Sequence, residues 1–311
     1  MGHKKILYEG VCMNIQGSIV AIVTPMHEDG SIDFISYKNL IDWHIEQGTD
    51  SIVVAGTTGE SATLNVEEHS KLIEFTVQYT NKRIPIIAGT GSNSTNEAIE
   101  LTKFAKKVGA DATLQVVPYY NKPTQEGIYQ HYKKIAETVD IPIILYNVPS
   151  RTVADMSNDT VLRLSSIPNI MGIKDATGNL DRGCQLIKAC QAISSKKEFN
   201  IYSGDDATAA LLMLLGAKGN ISVTANILPN TIHKIATAFI NKTNIAEAAS
   251  MHINLSTINS LLFCEANPIP VKYVLYKMGK IPNGIRLPLI QLSESYHSKI
   301  DIELKNLGLI K

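Results

Sequence analysis

Lys174 closes an apolar run, Ile170–Lys174 (IMGIK), and opens the segment KDATG. An ammonium is costly to bury, and burial lowers its pKa. A lysine so placed turns neutral near physiological pH and can add to a carbonyl to form a Schiff base. The ordinary fate of a lysine is to lay its stem on apolar surface and keep its ammonium in water, so the neighbours decide. Tyr146 ends another apolar run, and Arg151 follows it in YNVPSRT. A tyrosine within reach of the lysine can move protons, and an arginine can grip a carboxylate. Read singly, they are a core tyrosine and a surface arginine. AGTTGES (Ala55–Ser61) combines Gly56 and Gly59 with the hydroxyls of Thr57 and Thr58. Its N–H groups can converge on an anion, and it reads equally well as a plain Gly-rich turn. PYYN sets Tyr119 beside Tyr120, as phenolic donors, interface anchors or packing. In YSGDD, Asp206 is expected to cap a helix beginning at Ala207 and to order its loop.

These residues need elements to hold them. Short apolar runs alternate with helical patterns: 18–24, 51–54, 85–88, 112–117, 142–146, 170–174, 200–203 and 220–223 as strands, with helices near 35–47, 66–79, 95–108, 125–139, 158–165, 180–193, 207–215 and 228–240. The strands are apolar on both faces, as parallel strands under helices are. Eight such units, evenly spaced, predict a closed (β/α)8 TIM barrel over 17–242. An open doubly wound sheet is the alternative, and the first strand–helix turn lacks its G-x-G-x-x-G loop. Residues 1–16 read as an N-terminal extension, with Met13 an alternative start, and 243–311 as a helical segment whose first two helices break at Asn267–Pro270 (NPIP). In a barrel the carboxyl ends of strands share one rim, so Lys174, Tyr146 and the GTTGES turn are brought together.

Composition narrows the rest. Twenty-nine basic and twenty-nine acidic residues give no net charge, which argues against nucleic acid or an anionic membrane as partner. The basic pairs, such as Lys4-Lys5, Lys106-Lys107 and Lys196-Lys197, read as solvated faces. The four cysteines (Cys12, Cys184, Cys190, Cys264) are irregularly spaced, which points to a reducing, cytoplasmic setting. The eight histidines show no metal-ligand spacing, and no apolar run reaches the length of a membrane span or a secretory signal core. No metal or organic cofactor is expected.

The motifs GSIVAIVTP, GTTGESATL, IPIIAGTGSN, PYYNKPTQEG, LYNVPSRT, GIKDATGN, SGDD, ISVTAN and NPIPVK together resemble the dihydrodipicolinate synthase family of the pyruvate-dependent class I aldolases, from about Gly17 to the C-terminus. The resemblance implies condensation of pyruvate with L-aspartate 4-semialdehyde in lysine and diaminopimelate biosynthesis. It implies Lys174 as the imine-forming lysine, Tyr146 as proton donor and acceptor, and Thr57 with Tyr120 completing a relay, Tyr120 coming from a neighbouring subunit. Thr58 and Ile221 would contact pyruvate and Arg151 the semialdehyde's carboxyl end. Feedback by L-lysine would use Ser61, Ala62, Leu64, His69, Asn93, Glu97 and Tyr119, and the assembly would be a homotetramer, a dimer of dimers. Two positions depart from the family pattern. Val66 stands where lysine-sensitive relatives often have histidine, which implies weaker inhibition. Val153 stands where many have glycine, which is costly if that position needs a positive φ. The competing readings are a sibling sugar-acid aldolase such as N-acetylneuraminate lyase, a non-catalytic pyruvate- or lysine-binding regulator, and a metal-dependent barrel enzyme.

Overall fold

The computed structural model describes residues 15–193 and 198–311. Most of the N-terminal extension, with Cys12 and Met13, and the Lys196-Lys197 pair lie outside the described residues. Eight parallel strands form a closed barrel in chain order: β1 (Gly17–Ala21), β2 (Ser51–Val54), β3 (Ile86–Gly89), β4 (Ala112–Val116), β5 (Ile143–Asn147), β6 (Ile170–Asp175), β7 (Asn200–Ser203) and β8 (Gly219–Ser222). The helices around it are α1 (Phe34–Glu46), α2 (Val66–Thr80), α3 (Thr95–Val108), α4 (Gln125–Thr138), the short α5 (Pro149–Thr152), α6 (Asn158–Ser165), α7 (Leu180–Ile193), α8 (Ala209–Leu215) and α9 (Pro229–Asn241). The C-terminal segment adds α10 (Ile245–Asn254), α11 (Ser256–Leu261), α12 (Ile269–Lys277) and α13 (Glu294–Asn306).

Local chemistry starts these helices where it should. Asp33, Ser94, Thr124 and Ser157 accept from backbone N–H groups at their helix N-termini, and Asn65 forms a capping box with Glu68. The expected NPIP break falls one helix later than predicted. Only Leu255 separates α10 from α11, in a right-handed conformation that lets the chain run on, and the prolines part α11 from α12.

Strand alternation sorts the core into two clusters. Val20, Ile52, Ile86, Ile143, Leu145 and Ile173 face the helices. Ile19, Val53, Ile87, Leu114, Ile144, Tyr202 and Ile221 fill the barrel, with Ile15 packed among them. An interior so filled is a floor rather than a pore, and the site stands on it.

Candidate active site

Strand register sets the centre of the site. Lys174 pairs with Tyr146 on β5 and with Tyr202 on β7, so one layer holds a lysine between two tyrosines. Tyr202 is fully buried and donates its hydroxyl to the Ile15 carbonyl at 2.8 Å. Tyr146 borders the cavity, and the Lys174 Nζ lies 4.4 Å from its ring centroid. The lysine is 6 % exposed and makes no hydrogen bond or ion pair with a described residue. Burial pushes its pKa down to about 8, Arg151 adding to the depression and the Asp206 carboxylate opposing it. Holding the ammonium there costs on the order of 3 kcal/mol relative to water. Burial raises the Tyr146 phenol above its ordinary value, while the Arg151 charge and the Thr57 hydroxyl pull it back. A nucleophilic amine and a phenol of opposing shifts therefore meet at one cavity wall.

The GTTGES turn closes that cavity from β2. Its flanks, Ala55 at φ 53° and Glu60 at φ 56°, are left-handed residues with a side chain, a strain that the surroundings must hold. Thr57 and Thr58 line the cavity between them. The surroundings come from the far end of the chain. Asn267 Nδ2 donates to the Thr58 hydroxyl at 3.0 Å, and Lys272 on α12 forms a buried ion pair with Glu60. The Asn267 carbonyl also accepts from Arg151 Nη2 at 3.1 Å, tying the arginine to the same wall.

The whole cavity measures about 510 Å3, room for two small molecules. Gly204 forms part of it, and only glycine fits: a Cβ there would stand 2.8 Å from Lys174 Cε. A second cavity of about 420 Å3 shares Thr57, Ser61, His69, Arg151 and Asn267 with the first. It gathers Ser61, Ala62, Leu64, His69, Glu97 and Tyr119, six of the seven residues expected for lysine feedback. Asn93 stands just outside, its Nδ2 donating to the Tyr119 carbonyl at 3.2 Å. His69 touches the Gly89 carbonyl at 2.7 Å, and burial lowers its pKa. Val66 also lines this cavity and is largely exposed.

One expectation is corrected. Asp206 does not cap a helix. Its carboxylate accepts from Asn220 Nδ2, the Ser222 hydroxyl and the N–H groups of Val223 and Thr224, binding the end of β7 to that of β8, while Asp205 accepts from Thr208 at the start of α8. Ile221 lies in the packed barrel floor and does not line the cavity. Tyr120 is 86 % exposed at φ 72° and lines neither cavity within one chain. Val153 does adopt a positive φ, 60°, as the left-handed residue ending α5, at a cost of about 1–2 kcal/mol for a side-chain residue. Arg151 is placed in the cavity all the same. Sequence reasoning missed Asn267, Lys272 and Gly204. NPIPVK and SGDD flagged their segments, but nothing local marked their contacts. Among the described residues no cluster of histidine, cysteine or acidic side chains could hold a metal ion, and no helix is long and apolar enough to cross a membrane.

A barrel with a buried lysine at a strand end, unpaired among the described residues and beside a tyrosine, has the elements of a class I aldolase. The profile of the dihydrodipicolinate synthetase family matches residues 14–307. The 4-hydroxy-tetrahydrodipicolinate synthase of Ralstonia nicotianae is 59 % identical over 296 residues, 95 % of this chain and 99 % of its own length. The crystal structure of the chloride-inhibited dihydrodipicolinate synthase of Acinetobacter baumannii, complexed with pyruvate, superposes with a TM-score of 0.92 at 58 % identity, covering 95 % of this chain and all of that one (100 %). The lysine-bound enzyme of Cyanidioschyzon merolae gives 0.89 at 39 % identity over 95 % of this chain and 99 % of its own. The chain belongs to the dihydrodipicolinate synthetase family and is a lyase of that family.

Proposed function

We propose that the chain condenses pyruvate, held as an imine on Lys174, with L-aspartate 4-semialdehyde, the step that commits carbon to lysine and diaminopimelate. The observation that carries this reading is Lys174 itself: buried, unpaired among the described residues, its pKa lowered to about 8, and open to a cavity. Its neutral amine adds to the pyruvate carbonyl and water leaves. The imine nitrogen then draws electrons from the methyl carbon, loss of a proton gives the enamine that attacks the aldehyde, and the aldehyde's own amine adds to the re-formed imine and displaces Lys174 as the ring closes. Tyr146 carries protons among these species, aided by Thr57. Thr58 and the N–H groups of the GTTGES turn hold the pyruvate carboxylate, and Arg151 takes the carboxylate of the aldehyde.

The names of the relatives support the substrates, and the pyruvate bound in the Acinetobacter enzyme supports the first of them. In this reading the exposed Tyr120 completes the relay of a neighbouring copy in a homotetramer. The second cavity takes L-lysine as feedback inhibitor, as the lysine held by the Cyanidioschyzon enzyme suggests. Glu97 would pair with its ammonium, and Val66 would offer no hydrogen bond, weakening the inhibition. The enzyme would act in the cytoplasm.

The test is condensation of pyruvate with L-aspartate 4-semialdehyde, followed through the reductase that consumes the product. A robust rate is expected. No rate, with cleavage of a sugar acid to pyruvate, would mean a sibling aldolase instead.

A further inference from the structure

Besides Lys174 and Arg151, the catalytic cavity is lined by two carboxylates, Asp205 and Glu265. They stand in different places. Asp205 follows Gly204, the residue pressed against the Lys174 stem, and its Oδ2 already accepts from the Thr208 N–H at 3.0 Å and hydroxyl at 2.6 Å. Glu265 comes from the loop between α11 and α12, two residues before Asn267, whose carbonyl holds Arg151. The chain spans about 3.5 Å per residue, so the Glu265 Cα lies within about 7 Å of the Asn267 Cα. The Glu265 carboxylate makes no hydrogen bond or ion pair with any described residue. A carboxylate without a partner among the described residues and an anchored guanidinium thus line the same cavity.

A ligand with a single anionic head would use Arg151 and leave Glu265 unsatisfied. A zwitterionic head, with carboxylate and ammonium on one carbon, satisfies both. Resting on the condensation proposed above, we infer that Glu265 receives the α-ammonium of the aldehyde substrate while Arg151 holds its α-carboxylate. Glu265 is then the residue that selects an α-amino-acid aldehyde. An aldehyde that lacks the ammonium gives the carboxylate nothing in exchange for its water, and a polyhydroxylated one gives only neutral hydroxyls. The loop that carries Glu265 also fixes Arg151 and Thr58 through Asn267, so both ends of the zwitterion are read from one rigid wall.

The experiment compares wild type and Glu265→Gln on L-aspartate 4-semialdehyde and on succinic semialdehyde, which differs only in lacking the α-ammonium, with pyruvate consumption as the common readout. Glu265→Gln is expected to raise KM for the amino-acid aldehyde by about tenfold or more, the size of one charged contact. The kcat, the KM for pyruvate and the borohydride-trapped imine should hold, and so should KM, or the inhibition constant, for succinic semialdehyde. Glu265→Asp should recover part of the loss. An unchanged KM for the amino-acid aldehyde overturns the inference, and so does an equal loss on both aldehydes. If the variant no longer forms the imine, Glu265→Asp decides: a raised KM for the amino-acid aldehyde alone supports the inference, and an unchanged KM overturns it. A wild-type enzyme that traps pyruvate but uses neither aldehyde brings down the proposed reaction, and the inference with it.

Discussion

Two lysines of this protein are buried to nearly the same degree, Lys174 at 6 % and Lys272 at 4 % exposure, and they do opposite things. Lys272 stands on α12 in contact with the Glu60 carboxylate, itself wholly buried. Burial lowers its pKa while Glu60 pulls it back, and the contact fastens the C-terminal segment to the GTTGES turn. Lys174 has no such contact among the described residues; the carboxylate that opposes its depression, Asp206, is occupied by four donors from the end of β8 and the turn after it. Depth alone therefore does not make a nucleophile. What matters is whether a counter-charge is granted or withheld, because an ion pair stabilises the ammonium and an apolar wall stabilises the amine. One lysine holds the frame and the other is left free to react.

The contrast can be broken in several ways, the largest first. Lys174→Ala should abolish the borohydride-trapped pyruvate adduct, checked by mass spectrometry, and lower turnover by at least about 10^4-fold. Survival of the adduct would hand the chemistry to another lysine. Tyr146→Phe should keep pyruvate binding and slow turnover by roughly two to four orders of magnitude, and a normal rate would remove the phenol from the relay. Lys272→Met should leave Glu60 buried and unpaired, costing about 3–5 kcal/mol, visible as a lower thermal midpoint. The double variant Lys272→Met, Glu60→Leu should regain most of that stability. A single variant as stable as wild type would show that the pair does not anchor the turn. The smallest effect is in pH. The neutral form of Lys174 grows as pH rises toward its pKa, so the single-turnover rate of imine formation should climb about tenfold per unit below pH 8 and level above it. A rate still climbing through pH 10 would give Lys174 an ordinary amine and erase the difference between the two lysines.

Much of the barrel was legible from local pattern. β2, β7, α3, α6 and α7 match their expected bounds to the residue, and the other barrel strands and principal helices lie within a few positions. The short α5 was not foreseen, because four residues after a proline show no period. The cap assigned to Asp206 failed for a related reason. An aspartate before an alanine-rich run looks like a cap, and only the position of β8 shows that its oxygens are engaged elsewhere.

By itself the sequence determined the alternation of strand and helix, the lysine and tyrosine at adjacent strand ends, and the family. Each of these depends on a few neighbouring residues or on motifs kept whole. Tertiary structure alone decided which buried lysine is paired, that Asn267 holds both Thr58 and Arg151, that Glu265 lines the cavity without a partner among the described residues, and that Tyr120 lies exposed outside its own cavity. The physical reason is distance along the chain. Glu60 and Lys272 are 212 residues apart, and Thr58 and Asn267 are 209 apart. No local preference encodes such meetings, which exist only once the barrel has closed and brought the last helices back over its rim.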